Sequence, residues 1–311
     1  MARYFLKRIA FAIVTFWAVT LVAFVLFHVI PGGGPPRTEP VFVQYARFAW
    51  NLVGHQSLGA STVPPSRSSA ANRRRVNELI LNAAPITASL VIGGAIVWLL
   101  VSIPLGTFSA LRPRSLLDRG ATVFVLFGMC AHPIWLGLIC AYFFSYKLGI
   151  TPIEGYCEVF YRPAGATCSG VWDWFHHLVL PWFVFACLFM ALYTRMLRAN
   201  VLEALTAEHV RIARAKGAPE RTIVVRHVLR NVLLPLVTML GMDIPVALGG
   251  AIYTEVVFSL PGLGLYAWQA LQHEDYTLLQ GIVIFTSIWV IVANLVVYLL
   301  YAFVDPRIRL A

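Results

Sequence analysis

Hydrophobic positions in this chain fall into long unbroken runs, not alternating or one-sided stripes. The runs extend over about 9–30, 86–111, 121–146, 178–197, 232–257 and 278–304. A helix of about 20 apolar residues crosses the hydrocarbon core of a bilayer while satisfying its own backbone hydrogen bonds. Six such runs predict an all-α integral membrane protein with both termini on one side. Residues 31–85 form a polar stretch rich in Pro, Gly, Ser and Arg. Within it Val41 to Val53 is apolar and aromatic but too short to span, which suits a helix lying at the outer membrane surface. The plan is a cytoplasmic N-terminus (1–8), a first span (9–30), an extracytoplasmic loop (31–85), a five-helix core (86–304) and a cytoplasmic tail (305–311). A basic loop, 198–231, interrupts the core.

Composition agrees with a lipid solvent. The chain is 59% hydrophobic and 12% charged, against roughly 25% charged in a soluble domain. The net charge of +10 reads first as arginine-rich cytoplasmic loops. No arginine stretch is interleaved with aromatics as a nucleic-acid groove requires, so nucleic acid is not an expected partner. Arg112, Arg114 and Arg119 fall on the predicted inner side, as do Arg195, Arg198, Arg211, Arg214, Lys216, Arg221, Arg226 and Arg230. The outer loop between the third and fourth spans holds only Lys147 and Arg162. Arg73, Arg74 and Arg75 fall on the outer side against the trend, which long loops tolerate. The first run exceeds the roughly 7–15 residues of a signal-peptide core, and Pro31-Gly32-Gly33-Gly34 lacks a cleavage pattern, so the run reads as a retained helix.

Candidate chemistry is sparse. There is no GxxxxGK[ST] phosphate loop, no clustered His/Cys/Asp/Glu spacing for a metal and no paired acid–base constellation, which argues against an enzyme. Cys130, Cys140 and Cys187 fall within spans, as small buried residues do. Cys157 and Cys168 share one outer loop. A bridge between them would close about a dozen residues and stabilise by roughly 3 kcal/mol; two free thiols are the alternative. His28 and His132 read as hydrogen-bonding groups near helix ends. In the basic loop, Gly217 suits a position just past one short helix and Pro219 the first turn of the next.

That loop carries a resemblance. Ala213-Arg214-Ala215-Lys216-Gly217, followed by Arg226-His227-Val228-Leu229-Arg230-Asn231, resembles the coupling loop of bacterial ABC importer permeases, in the dipeptide/oligopeptide/nickel branch. Further matches run in order: Gln44-Tyr45, Leu58-Gly59-Ala60-Ser61, Glu255 to Gly264 (EVVFSLPGLG), Asp275-Tyr276 with Gly281, Asn294, and Asp305-Pro306-Arg307. They cover nearly the whole chain and are most similar to the first, B-type, peptide permease subunit. Three departures stand out. Arg211, Ile212 and Ala213 occupy the place of the general EAA triplet, Ser57 replaces an expected acid in a shortened first outer loop, and Tyr298 stands where an aspartate is common.

The resemblance implies a six-helix type I importer permease in a bacterial plasma (inner) membrane, moving peptides through half of a translocation pathway. It implies a second homologous permease, two ATPase subunits holding ATP and Mg, and an extracytoplasmic binding protein as partners. Nickel, glutathione or another small solute is the alternative cargo, and an ion-driven secondary transporter the alternative of a different class. Coupling to the ATPases is expected at Glu203, Arg211, Ala213, Arg214, Ala215, Lys216, Gly217, Arg226 and His227. Gly217 would permit close backbone approach, and Arg214 and Lys216 charge-assisted contacts. Asp243 sits inside a span, where an ionisable group faces a partner or an aqueous cavity; it either lines the pathway or bonds a neighbouring helix. Glu255, Pro261, Gly262, Gly264 and Asp275 are further pathway or gate candidates.

Overall fold

A computed structural model describes residues 2–29, 40–54, 58–59, 61, 75–157 and 170–304. Ser57, Ala60, Arg73, Arg74, Arg162, Cys168 and the tail from Asp305 lie outside them, as do the side chains of His28 and Tyr298. The described secondary structure is helical: α1 (Ala2–Val29), α2 (Val41–Gly54), α3 (Val76–Leu111), α4 (Leu116–Cys130), α5 (Pro133–Cys140), α6 (Val171–Thr206), α7 (Glu208–Ala215), α8 (Glu220–Thr222), α9 (Leu229–Val257), α10 (Leu263–Gln272) and α11 (Tyr276–Val304). Short π-helical segments, Ala141–Lys147 and Ile223–Val228, follow α5 and α8. Segments of α1, α3, α6, α9 and α11 are long and apolar enough to cross a membrane; α4 and α5 with its π segment pass the same test only as a bent pair, either a broken sixth span or a re-entrant loop.

That bent pair differs from the single helix expected over 121–146. The chain bends by 110° between the two halves. Proline at the first position of α5 cannot donate a backbone hydrogen bond, and it pushes the preceding residue out of the helical region. His132 is accordingly extended (φ −69°, ψ 135°), and its side chain caps α5 by accepting from the Ile134 N–H.

One compact unit contains residues 1–88 and 260–311. Here α3 begins at Val76, well before the apolar run that starts near Ile86. Polar Asn77, Glu78 and Asn82 hide this first part from a hydropathy reading. It is an amphipathic stripe instead: Val76, Leu79, Ile80, Ala83 and Ala84 fall at helical spacing and bury against Leu263, Ala270, Leu278 and Ile282. Gly281 of α11 lies under this stripe, and a Cβ there would meet Val76 and Ile80. Leu58, Gly59 and Ser61 are pinned to the same body. Leu58 N–H donates to Asn77 Oδ1 (3.1 Å), Val76 N–H to Gly59 O (3.1 Å), and Ser61 Oγ to Asp275 Oδ2 (2.7 Å). Elsewhere in the unit α2 packs on α1 through Phe24, Tyr45 and Phe48, with Tyr45 Oη 3.2 Å from Thr20 Oγ1.

Asp275 also accepts from the Leu278 N–H (3.0 Å), so its carboxylate caps α11 while holding Ser61. Asp275→Ala is expected to cost about 2–3 kcal/mol, from the lost cap and a buried hydroxyl left without its carboxylate. Thermal unfolding in detergent measures it; a melting temperature equal to the parent's would show that the carboxylate holds nothing.

The other unit contains residues 89–259. Its centre is α6, whose buried face runs through Trp182, Phe185, Phe189, Tyr193 and Leu197. Trp98 of α3 is fully buried and stacks on Phe189 with ring centroids 4.5 Å apart. Glycines let α3 come close enough: a Cβ on Gly93 would collide with the Trp182 ring, one on Gly94 with Phe185, and one on Gly106 with Leu197 and the Thr194 carbonyl. Gly128 of α4 is likewise seated on Ala191 and Cys187 of α6. Small residues at such crossings replace the hydrophobic driving force that lipid does not supply.

Candidate functional site

The basic loop folds into a helix–turn–helix carried on the ends of two long helices. α6 has 36 residues, a length of about 54 Å, so it outruns a hydrocarbon core of about 30 Å. It ends at Thr206, where Ala207 turns extended (φ −65°, ψ 146°) and starts α7. Val210, fully buried, anchors α7, while Glu208, His209, Arg211 and Ile212 stay exposed. After Ala215 the chain reverses through Lys216 and Gly217. The Gly217 N–H bonds Arg214 O and the Ala218 N–H bonds Ala213 O, closing off the carbonyls of the last turn. Gly217 has φ +76°, a left-handed conformation that a side chain would strain, and nothing among the described residues lies within 4 Å of the place its Cβ would take. Pro219 is the N-cap of α8, one residue before the helix begins.

Two side-chain links brace α7. Arg214 forms a two-pronged pair with Glu220, Nε–Oε1 2.8 Å and Nη2–Oε2 3.3 Å. The guanidinium's hydrogen bonds hold the Glu220 carboxyl below its ordinary range, so the pair stays ionised through neutral pH. Asn231 Nδ2 lies 3.1 Å from His209 Nε2, tying the first turn of α7 to the start of α9. The residues named from sequence therefore divide. Glu203, Arg211, Arg214, Ala215, Lys216, Gly217 and Arg226 are exposed, whereas Ala213 and His227 are half-buried.

Sequence reading missed a second cluster beside this loop. Asp118, in the first turn of α4, is buried and accepts from Ser109 Oγ of α3, from the Arg114 N–H (2.9 Å) and from Arg198 of α6 through Nε (2.7 Å) and Nη2 (3.1 Å). Ser115 caps the same helix by accepting from the Asp118 N–H (3.2 Å). One carboxylate thus joins three helices, nearly three turns before α7 begins. The available signal was Ser115-Leu116-Leu117-Asp118, an N-cap followed three residues later by an acid.

Of the pathway candidates, Asp243 and Glu255 belong to the unit of residues 89–259, and Pro261, Gly262, Gly264 and Asp275 to the other. Asp243 is half-buried and accepts from the hydroxyl of Tyr193 on α6 (2.9 Å). Glu255 is fully buried near the end of α9. Ser259, at φ +50°, turns the chain into Pro261 and Gly262; Gly262 is the N-cap of α10 with extended backbone, and the Leu263 N–H donates to Thr87 Oγ1 (2.8 Å). Gly264 is buried in the first turn of α10, and Asp275 caps α11. Cys157 is disulfide-bonded, Cys168 lies outside the described residues, and Cys130, Cys140 and Cys187 are free thiols. Among the described residues no group of His, Cys, Asp and Glu could hold a metal ion.

Residues 102–310 match the family described as the binding-protein-dependent transport system inner membrane component. The chain is 33% identical, over 99% of its length and all of the relative's, to the oligopeptide transport system permease protein AppB of Bacillus subtilis (strain 168). It is 31% identical, over 99% of both chains, to the dipeptide permease DppB of Escherichia coli (strain K12) and to the di/tripeptide permease DppB of Pseudomonas aeruginosa (strain UCBPP-PA14). With helices that cross the membrane several times and an exposed basic helix–turn–helix between two of them, the chain belongs to the family of inner membrane permease components of binding-protein-dependent transport systems.

Proposed function

We propose that this chain is the B-type permease subunit of a peptide importer, forming half of the translocation pathway beside a second homologous permease. Both termini and the α7–α8 loop face the cytoplasm, where two ATPase subunits holding ATP and Mg drive it; an extracytoplasmic binding protein delivers cargo. The observation that carries this reading is α7 itself, a short exposed basic helix clamped by the Arg214–Glu220 and His209–Asn231 links to helices that continue into the membrane. An ATPase that moves α7 moves α6 and α9 with it. Peptide cargo rests on the names of the relatives. Asp243, within the membrane and only half-buried, is the acid best placed to meet a peptide ammonium group.

Purification of the tagged chain in mild detergent, with mass spectrometry of its companions, tests the assembly. A phosphate-loop ATPase, a second permease and a secreted binding protein are expected, and ATP-dependent peptide uptake by the reconstituted complex. Purification of the chain alone, with uptake driven by an ion gradient and indifferent to ATP, would sink the reading. Within the complex, Gly217→Val forces a branched side chain into the left-handed region at about 1–2 kcal/mol and is expected to lower uptake by roughly tenfold. Gly217→Asn, tolerated at such positions, should retain most of it. Equal uptake by both variants would remove the turn from the coupling mechanism.

A further inference from the structure

Beside the α7–α8 turn lies an open groove of about 860 Å³. One wall is the last turns of α3, with Ile103, Phe108 and Leu111; the other is Val224, Val225 and Leu229, where the π segment runs into α9. Arg112, Arg214 and Arg221 stand at the rim with a single acid, Glu220. Since Arg214 is committed to Glu220, the rim keeps the charge of Arg112 and Arg221. Both are exposed, and neither side chain makes an ion pair or hydrogen bond among the described residues.

Depth separates the occupants this groove can take. From Leu111 back to Ile103 the groove follows α3 for about 12 Å, into a helix apolar enough to cross the membrane. A soluble ATPase can reach the arginines but not the apolar walls below them. A free anion would use the arginines and leave the walls unfilled. An amphiphile with a negative head and hydrocarbon chains matches both ends. Basic clefts between membrane helices on the cytoplasmic side attract lipid headgroups in this way.

We propose that the groove is a binding site for an anionic phospholipid of the cytoplasmic leaflet. Its phosphate is held by Arg112 and Arg221, and an acyl chain lies between Phe108 and Val225. The leaflet assignment rests on the topology proposed above; the site itself does not. A lipid seated there would touch α3, the α7–α8 turn and the start of α9 together, making the coupling loop responsive to membrane composition.

The test is native mass spectrometry of the full complex in mild detergent, titrated separately with phosphatidylglycerol and with phosphatidylcholine. A one-to-one phosphatidylglycerol adduct is expected, with its preference over phosphatidylcholine reduced roughly fivefold for each arginine removed in Arg112→Gln and Arg221→Gln. Val225→Glu, at an exposed position, should reduce it without touching either arginine. Competition by sn-glycerol-1-phosphate would reveal a headgroup site that does not need the chains and would overturn the lipid assignment. Equal retention of the two lipids, or a preference that survives the double arginine variant, would overturn the site. So would Phe108→Cys crosslinking to the second permease instead of to a photoactivatable lipid. Labelling of Arg112→Cys by an impermeant thiol reagent, in a Cys130→Ser background, reports the face independently. Labelling from outside would refute the topology while leaving the adduct measurement intact.

Discussion

Arg198→Ala is expected to lower the unfolding free energy by about 2–3 kcal/mol, one of the two largest single-residue effects in this structure. The arginine side chain is 36% exposed and the Asp118 side chain 9%. Losing the arginine therefore strands a carboxylate that burial has removed from water, with Ser109 and the Arg114 amide left, among the described residues, to hold it. Breaking a fully buried pair costs about 3–5 kcal/mol, and the partial exposure of the arginine reduces that here. Asp118→Asn should cost less, because the amide oxygen can keep one of the two neutral hydrogen bonds and the freed guanidinium can turn to solvent. Melting in detergent gives the order directly. If Asp118→Asn proves the more damaging, the carboxylate matters as a cap of α4 and not as the charge that joins α4 to α6. Transport separates stability from coupling: a folded Arg198→Lys complex that hydrolyses ATP with reduced uptake would place the pair in the path from α7 to the spans.

Gly93→Val should be at least as severe. The space its side chain needs is filled by the Trp182 ring, and that ring cannot yield. Its Nε1–H donates to Ser89 O (3.0 Å), and Trp174 and Phe175 press edge-on against it, with centroids 5.4 and 5.5 Å away. Overpacking a filled crossing costs about 1–3 kcal/mol, and a β-branched side chain against a fixed indole belongs at the upper end. Gly120→Ala on α4 is the control. Nothing among the described residues lies within 4 Å of its Cβ position, so the substitution should be neutral or stabilise by about 0.5–1 kcal/mol through helix propensity. Equal melting temperatures for Gly93→Val and the parent would mean that α3 and α6 do not cross as closely as the structure has them.

The membrane-crossing helices were legible because lipid imposes a one-dimensional rule: about 20 apolar residues in a row, with every backbone group bonded inside the segment. The helix–turn–helix of the basic loop was legible for a similar reason, since Gly217 and Pro219 act through their own backbone geometry. The break at His132–Pro133 was also within reach, but a hydropathy reading passes over a proline that it should treat as a stop.

What stayed hidden needed partners distant in sequence. The first turns of α3 looked like loop because Asn77, Glu78 and Asn82 dilute the run; only their packing on α10 and α11 defines the buried stripe. Asp275 read as a gate candidate, and its bonds to Ser61 and the Leu278 amide give it a cap's place. Asp118 and Arg198, 80 residues apart, carried no joint signal. Sequence by itself determined that the chain is helical and membrane-spanning, and where its basic turn lies, because these depend on local backbone chemistry and on the solvent. Tertiary structure alone decided which glycines are crossings, which acids are caps or ion pairs, and where a charged rim meets an apolar groove. Those properties belong to pairs of helices, whose side chains acquire partners only when the chain has packed.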